Sequence, residues 1–253
     1  MKITILGSGS FFIDKDHSAP GYLIETGKEN ILFDCGPGTL NQLAKIDFDP
    51  LKIDYIFLTH FHNDHTSDLI ALLIRPYIFE SFYGGKIDKK FKIVGPKGVE
   101  QFVRDLANIF HHDSLPNYSK LEYIEFEPEM QFEGFKVDVF PVNHLGMDAN
   151  ALRLTAEGKI LVYTGDAELS EGVIKAAKDV DLLIADTATP KGLDATAHMS
   201  TTQVGEICRD NGVKKVILTH QVPLGYKIDM VGQVREVFGG DVTLAKDLME
   251  IEL

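Results

Sequence analysis

Twelve short β-rich runs divide the chain, at 2–6, 21–25, 30–33, 54–58, 91–94, 122–126, 135–141, 150–155, 159–163, 181–185, 215–219 and 242–252. Each is of strand length and rich in β-branched and aromatic residues, so each is read as a strand. Helix-like stretches fall between them at 38–46, 65–75, 97–109, 168–178, 200–211 and 228–238, several entered through Asp, Ser or Pro and left through Gly. The early runs follow one another as hairpins and the later ones alternate with helices. That order predicts a mixed α/β fold with sheets at the centre and helices outside. No repeat of solenoid period and no low-complexity segment interrupts it.

Where the runs stop is more informative than where they start. Ile56-Phe57-Leu58-Thr59 leads into His60, Val139-Phe140-Pro141-Val142-Asn143 into His144, Leu161-Val162-Tyr163-Thr164-Gly165 into Asp166, and Val216-Ile217-Leu218-Thr219 into His220. A fifth run, Leu182-Leu183-Ile184-Ala185, ends in Asp186. In α/β sheets the strand ends gather along one edge, where ligand sites form, so residues far apart in sequence can converge there. Thr59-His60-Phe61-His62-Asn63-Asp64-His65 packs four ligand-type side chains, His60 and three further ones, into a turn between a strand and a helix. Asp64 alone would pass for a helix N-cap, and a single strand-end histidine for a satisfied polar residue. Seven imidazoles and carboxylates at strand ends together are the donor set that zinc-type cations require, and His and carboxylate ligands accept Zn, Mn or Fe.

The run His60-Phe61-His62-Asn63-Asp64-His65 resembles the H-x-H-x-D-H signature of the metallo-β-lactamase superfamily, and the other elements follow in that family's order. Leu6-Gly7-Ser8-Gly9-Ser10 is similar to its opening strand and glycine turn, and Phe33-Asp34-Cys35-Gly36 to its D-x-G element. The resemblance covers nearly the whole chain. It implies an αββα sandwich, two mixed sheets flanked by helices, with two divalent metal ions at the sheet edge. It further implies that His60, His62 and His144 hold one metal, Asp64, His65 and His220 the other, and that Asp166 bridges them. Chemistry agrees, because two cations about 3.5–4 Å apart need a shared anionic ligand and together acidify a bound water to hydroxide near neutral pH.

Ala197-His198-Met199-Ser200-Thr201 stands at the entrance of the helix expected over 200–211 and resembles the H-x-S-T element of the phosphodiesterase branch of that superfamily. That branch includes ribonuclease Z and the cyclic phosphodiesterase of phosphonate breakdown. The resemblance makes His198 a catalytic residue acting on the scissile phosphate. Asp186, in Ala185-Asp186-Thr187-Ala188-Thr189, takes the place of the glutamate that orients this histidine in the ribonucleases. An imidazolium there would neutralise the phosphoryl oxygens or protonate the leaving alkoxide. Four histidines, His17, His111, His112 and His198, stand outside the ligand set, and the first three fall in polar loops.

The same resemblance shows a difference. Ribonuclease Z carries a long arm for tRNA between the positions of His144 and Asp166, which here lie only 22 residues apart. Extra length lies instead between His65 and His144. One domain over 1–253 is expected, with a lid or dimerisation insert within 75–120, and the aromatic segment Tyr77 to Tyr83 is read as pocket rim or homodimer contact.

Composition narrows the function further. A chain of 253 residues with 44% hydrophobic and 25% charged residues can bury a core without staples. The net charge of −13 repels polyanions, so a nucleic-acid partner is disfavoured. Met1-Lys2-Ile3-Thr4-Ile5-Leu6-Gly7 reads as a first strand and not a signal peptide, and no run is long enough for a membrane span, which points to the cytoplasm. Cys35 and Cys208 are then free thiols. The expected activity is hydrolysis of a small cyclic or nucleotide-like phosphodiester by hydroxide at a metal pair. The alternatives are tRNA 3′-end cleavage, thioester or lactone hydrolysis, and a metal-stabilised scaffold without turnover.

Overall fold

A computed structural model describes residues 1–193 and 196–253. In chain order the strands are Lys2–Gly7 (β1), Gly21–Glu25 (β2), Asn30–Phe33 (β3), Tyr55–Phe57 (β4), Phe91–Gly95 (β5), Leu121–Glu125 (β6), Glu129–Gln131 (β7), Phe135–Val142 (β8), Ala149–Ala156 (β9), Lys159–Tyr163 (β10), Leu182–Asp186 (β11), Lys215–Thr219 (β12), Asp241–Leu244 (β13) and Met249–Glu252 (β14). The α-helices are Thr39–Lys45 (α1), Asn63–Thr66 (α2), Leu69–Tyr83 (α3), Val99–Ile109 (α4), Glu171–Ala176 (α5), Thr201–Asp210 (α6) and Met230–Arg235 (α7).

The strands form two seven-stranded sheets, ordered β14-β1-β2-β3-β4-β5-β6 and β13-β12-β11-β10-β9-β8-β7. Side chains alternate across each strand and build three apolar layers. Ile3, Ile5, Tyr22, Ile24, Leu161, Tyr163 and Ile217 point inward, into the layer between the sheets. Leu6, Leu23, Leu32 and Leu58 point outward, under α1, α3 and α4. Val162, Leu183, Val216 and Leu218 do the same on the other sheet, under α5, α6 and α7. Strands covered on both sides have no use for a polar face, which is why they read as unbroken apolar runs. The result is the αββα sandwich, with two mixed sheets between helices.

Strand direction places the site. From β3 to β6 and from β10 to β13 every neighbouring pair is parallel. Antiparallel pairing through β9 turns β8 to the same direction as β10. The residues that follow β3, β4, β8, β10, β11 and β12 therefore emerge at one edge, among them Asp34, His60, His144, Asp166 and His220.

Three elements differ from the sequence expectation. The run 242–252 is two strands, β13 at the end of one sheet and β14 at the end of the other. At the corner between them Leu248 has φ 62°, and the Asp247 carboxylate accepts from Ser8 N, Ser8 Oγ, Ser18 N and Gln42 Nε2, which ties the crossing to the β1–β2 connection. The helix expected to end at 75 continues through Pro76 to Tyr83. Proline costs one helical hydrogen bond, but Leu69, Leu72, Leu73 and Pro76 are buried against the sheet and hold the helix together. Glu129–Gln131 was not expected as a strand, because three residues at a sheet edge leave no readable period. Among the described residues no helix is long and apolar enough to cross a membrane, and both cysteines are buried free thiols.

Candidate metal centre

The seven residues, brought from the ends of four strands, β4, β8, β10 and β12, meet. His60 Nε2 and His62 Nδ1 are 3.0 Å apart, and His144 Nε2 is 3.2 Å from the same His62 nitrogen. Asp166 Oδ2 lies 3.7 Å from His144 Nε2 and 3.2 Å from His220 Nε2. Its other oxygen is 3.1 Å from His65 Nε2, and Asp64 Oδ2 is 3.5 Å from His220 Nε2 and 3.7 Å from His65 Nε2. Three groups result, the donor atoms of each within 4.8 Å of one another: His60, His62, His144 and Asp166; Asp64, His65, Asp166 and His220; and Asp166, Asp186, His198 and His220. Asp166 belongs to all three, and the first two together hold the seven residues expected as metal ligands.

The far nitrogen of most rings is already engaged, which fixes the tautomer. His65 Nδ1 donates to Asp34 Oδ2 at 2.7 Å and His144 Nδ1 to the Ala197 carbonyl at 2.9 Å. Thr59 Oγ1 donates to Asp34 Oδ2 and so accepts from His60 Nδ1, 3.1 Å away. The Nε2 lone pairs of these three rings are left facing the shared space.

Whether cations suit that space is decided by the atoms without partners. His65 Nε2, His220 Nε2 and Asp166 Oδ1 are buried and make no hydrogen bond. His65 Nε2 and Asp166 Oδ1 are close yet not aligned with each other, as two ligands aimed at a common ion would be. The clusters fit a dinuclear metal site. Electrostatics say the same. Burial, with His65 next, pushes the His60 imidazole down to about 2, so it is neutral with a lone pair to give. Burial disfavours a charged Asp166, but His220 and His65 overcome it and hold the carboxyl well below the usual range. Burial likewise opposes a cationic His65, and Asp166 and Asp34 outweigh it, raising that imidazole well above its ordinary value. The anionic pocket draws protons to the positions where metal ions would replace them.

His198 stands beside this site. Its Nδ1 donates to Asp186 Oδ2 at 2.7 Å, and its ring stacks on His220 with centroids 4.7 Å apart. Burial works against the imidazolium, but the Asp186 carboxylate raises its pKa above the ordinary value. Asp186 also accepts from Ala167 N at 3.0 Å, beside Asp166, so one carboxylate positions both the His198 ring and the Asp166 turn. Downstream, Ser200 and Gln203 form a capping box that starts α6 and fixes the chain after His198. By contrast, His111 and His112 are exposed beyond α4, and His17 bonds Asp14 and stacks on Tyr226.

Two contributors carried no role in the sequence reading. Asp34 is fully buried and accepts from Thr59 N, Thr59 Oγ1, Tyr163 Oη and His65 Nδ1, so it orients a ligand and braces the strand end that leads to His60. Its signal was present in Phe33-Asp34-Cys35-Gly36, an aspartate closing an apolar run. Glu168 accepts from Ala197 N at 3.1 Å and thereby holds the residue before His198, a contact with no sequence signature. Backbone strain collects here too. Asp34, Leu145, Ala197 and His220 are four of the nine non-glycine residues with positive φ among the described residues, and all four lie in or beside the site.

A cavity of about 220 Å³ opens over the cluster, with Phe11, His62, Asn63, His144, Leu145 and His198 along it. The segment 75–120 contributes no residue to that cavity among those described. Its first part is the far half of α3, which with Asp49 and Leu51 borders a separate groove of about 410 Å³ containing Arg75, Phe79 and Tyr83.

Comparison with known proteins agrees with the fold. The family model of the metallo-beta-lactamase superfamily matches residues 16–220. "Probable metallo-hydrolase YhfI" of Bacillus subtilis is 26% identical over 257 residues, covering 97% of each chain, and its crystal structure superposes with a TM-score of 0.86 over 100% of this chain and 99% of that one at 25% identity. Ribonuclease Z of Archaeoglobus fulgidus is 26% identical over an alignment of 310 positions covering 100% of this chain and 97% of its own. A diphosphatase of the PhnP family shares the fold, with a TM-score of 0.75, 18% identity, and coverage of 100% of this chain and 97% of that one. With the family model spanning from the loop before β2 to His220, and the His/Asp groups at the sheet edge, the chain belongs to the metallo-beta-lactamase superfamily.

Proposed function

We propose that this protein is a metal-dependent phosphodiesterase acting on small, cyclic or nucleotide-like phosphodiesters. In this reading His60, His62, His144 and Asp166 hold one divalent cation and Asp64, His65, His220 and Asp166 the other. When bound, the cations supply Lewis acidity and a nucleophile from water at neutral pH. The observation that carries the proposal is His198 on Asp186: a metal pair alone would serve an ester or lactone equally well, whereas a carboxylate-paired imidazole beside it suits phosphoryl chemistry.

With Nδ1 committed to Asp186, the His198 Nε2 is the nitrogen left for substrate. It donates a hydrogen bond to a phosphoryl oxygen, neutralises charge as the diester is attacked, and protonates the departing alkoxide. Asp186 keeps the ring charged and pointed, because its other contacts hold it in place. Asn63 and His62 line the same cavity.

A tRNA 3′-end endonuclease is the second reading, favoured by ribonuclease Z among the relatives. Two observations weigh against it. The alignment of 310 positions leaves more than fifty in which only that ribonuclease has a residue. Between His144 and Asp166 there is a plain hairpin, β9 and β10 joined at Glu157 and Gly158, both with positive φ, as a two-residue turn requires. The deciding experiment compares hydrolysis of bis(p-nitrophenyl) phosphate and a cyclic nucleotide with cleavage of precursor tRNA, at matched metal and salt. Turnover of the small diesters is expected; efficient cleavage of precursor tRNA with the small diesters ignored would overturn the proposal.

A further inference from the structure

We infer that Phe11, backed by Phe12 and sharing the cavity with Leu145, is a binding subsite for the nucleobase of a nucleoside ester whose phosphate sits at the metal centre. The inference rests on the phosphodiesterase reading and names the part of the substrate that lies beyond phosphorus. Apart from Asn63 the polar lining of the cavity is imidazole and carboxylate, but two of the residues along it, Phe11 and Leu145, are large, apolar and 57% and 64% exposed. Apolar side chains set at the mouth of a polar cavity gain nothing from phosphate; they gain from whatever the phosphate carries.

Both are held in place. Phe12 packs on Phe11 with ring centroids 4.3 Å apart. The loop that carries them is pinned at its base, where Gly9 N donates to Ser18 O and Gln221 N to Ser8 O, directly after His220. Tyr226 Oη donates to the Phe12 carbonyl, and Tyr226 is itself stacked on His17. Leu145 follows His144 with φ 47° and precedes Gly146 with φ 74°, so the chain accepts an unfavourable backbone at a leucine in order to turn there. An exposed aromatic ring braced by a second ring, next to a site for anions, is the arrangement that stacks bases in single-strand binding proteins. With about 220 Å³ over the metal residues, there is room for a phosphate and one small group on the floor while a ring lies on Phe11 at the rim.

The test uses two diesters that release the same p-nitrophenolate: the p-nitrophenyl ester of thymidine monophosphate and methyl p-nitrophenyl phosphate. The metal-loaded wild type should favour the thymidine ester in kcat/KM, chiefly through KM, and Phe11→Ala should shrink that preference about five- to tenfold. Leu145→Gly, which the left-handed backbone accommodates, should shrink it as well. Binding of thymidine monophosphate and of methyl phosphate, measured by calorimetry, gives a readout independent of turnover, and the same variants should narrow the gap between the two Kd values. A preference that is absent in the wild type, or unchanged in Phe11→Ala by both turnover and binding, would overturn the subsite while leaving a phosphodiesterase standing. If neither diester is cleaved but thymidine monophosphate binds more tightly than methyl phosphate in a Phe11-dependent way, the subsite stands and the phosphodiesterase reading falls.

Discussion

Asp166 carries more contacts to the other site residues than any one function requires, since its two oxygens face His65, His144 and His220 at 3.1 to 3.7 Å. A carboxylate shared in that way would bridge the two cations of the proposed site, and removing it would leave each with one ligand fewer and more repulsion between them. Asp166→Ala should therefore retain much less than two metal ions per chain by elemental analysis and lose most of its activity. His198 makes the opposite prediction. It touches the ligand rings without belonging to either metal group proposed here, so His198→Ala should keep its metal content while phosphodiester turnover drops roughly 10²–10⁴-fold. Asp186→Asn should cost less, because an amide still accepts from His198 Nδ1 but no longer favours the charged ring. Metal loss in His198→Ala would place that residue among the ligands instead.

Among the elements, the short connections after the strands tolerate least. Gly36 follows β3 where the chain passes against the backbone of the ligand turn, and a Cβ built on it would stand 1.9 Å from the Asp64 carbonyl oxygen. Nothing there is a flexible side-chain end, so Gly36→Ala should destabilise by more than about 4 kcal/mol, lower the Tm on the order of 10 °C, and release metal by displacing Asp64. Calorimetry with metal analysis on the same sample checks both. The far end of α3 predicts the reverse. Phe82 and Tyr83 are 70% and 78% exposed and lie outside the cavity over the cluster, so Phe82→Ser with Tyr83→Ser should leave KM for small diesters unchanged. A raised KM would bring this segment back to the active-site rim. That α3 reaches so far was hidden by Pro76, a stop signal by local rules that burial of its neighbours overrides.

For the whole molecule, charge and shape set the size of substrate. A net charge of −13 makes approach of a long polyanion costly at low salt, whereas a small diester feels mainly the few groups within a Debye length. Small cyclic or aryl diesters should be hydrolysed with weak salt dependence, and precursor tRNA cut little at any salt near physiological; a rate of tRNA cleavage matching that on small diesters would reverse the ranking. Much of this was legible in the chain itself. The strand runs and the residues that end them, His60 to His65, His144, Asp166, Asp186 and His220, with His198 at a helix entrance, are local patterns, and local patterns survive in sequence because burial on both sheet faces demands unbroken apolar runs and site chemistry demands particular side chains where they stop. What only the tertiary structure decided is which of these side chains share an atom-scale neighbourhood. Asp34 beneath His65, Glu168 behind Ala197, Phe11 over the cavity, and the crossing of the last run from one sheet to the other all depend on long-range packing between two sheets, and no spacing along a chain encodes a distance across a sandwich.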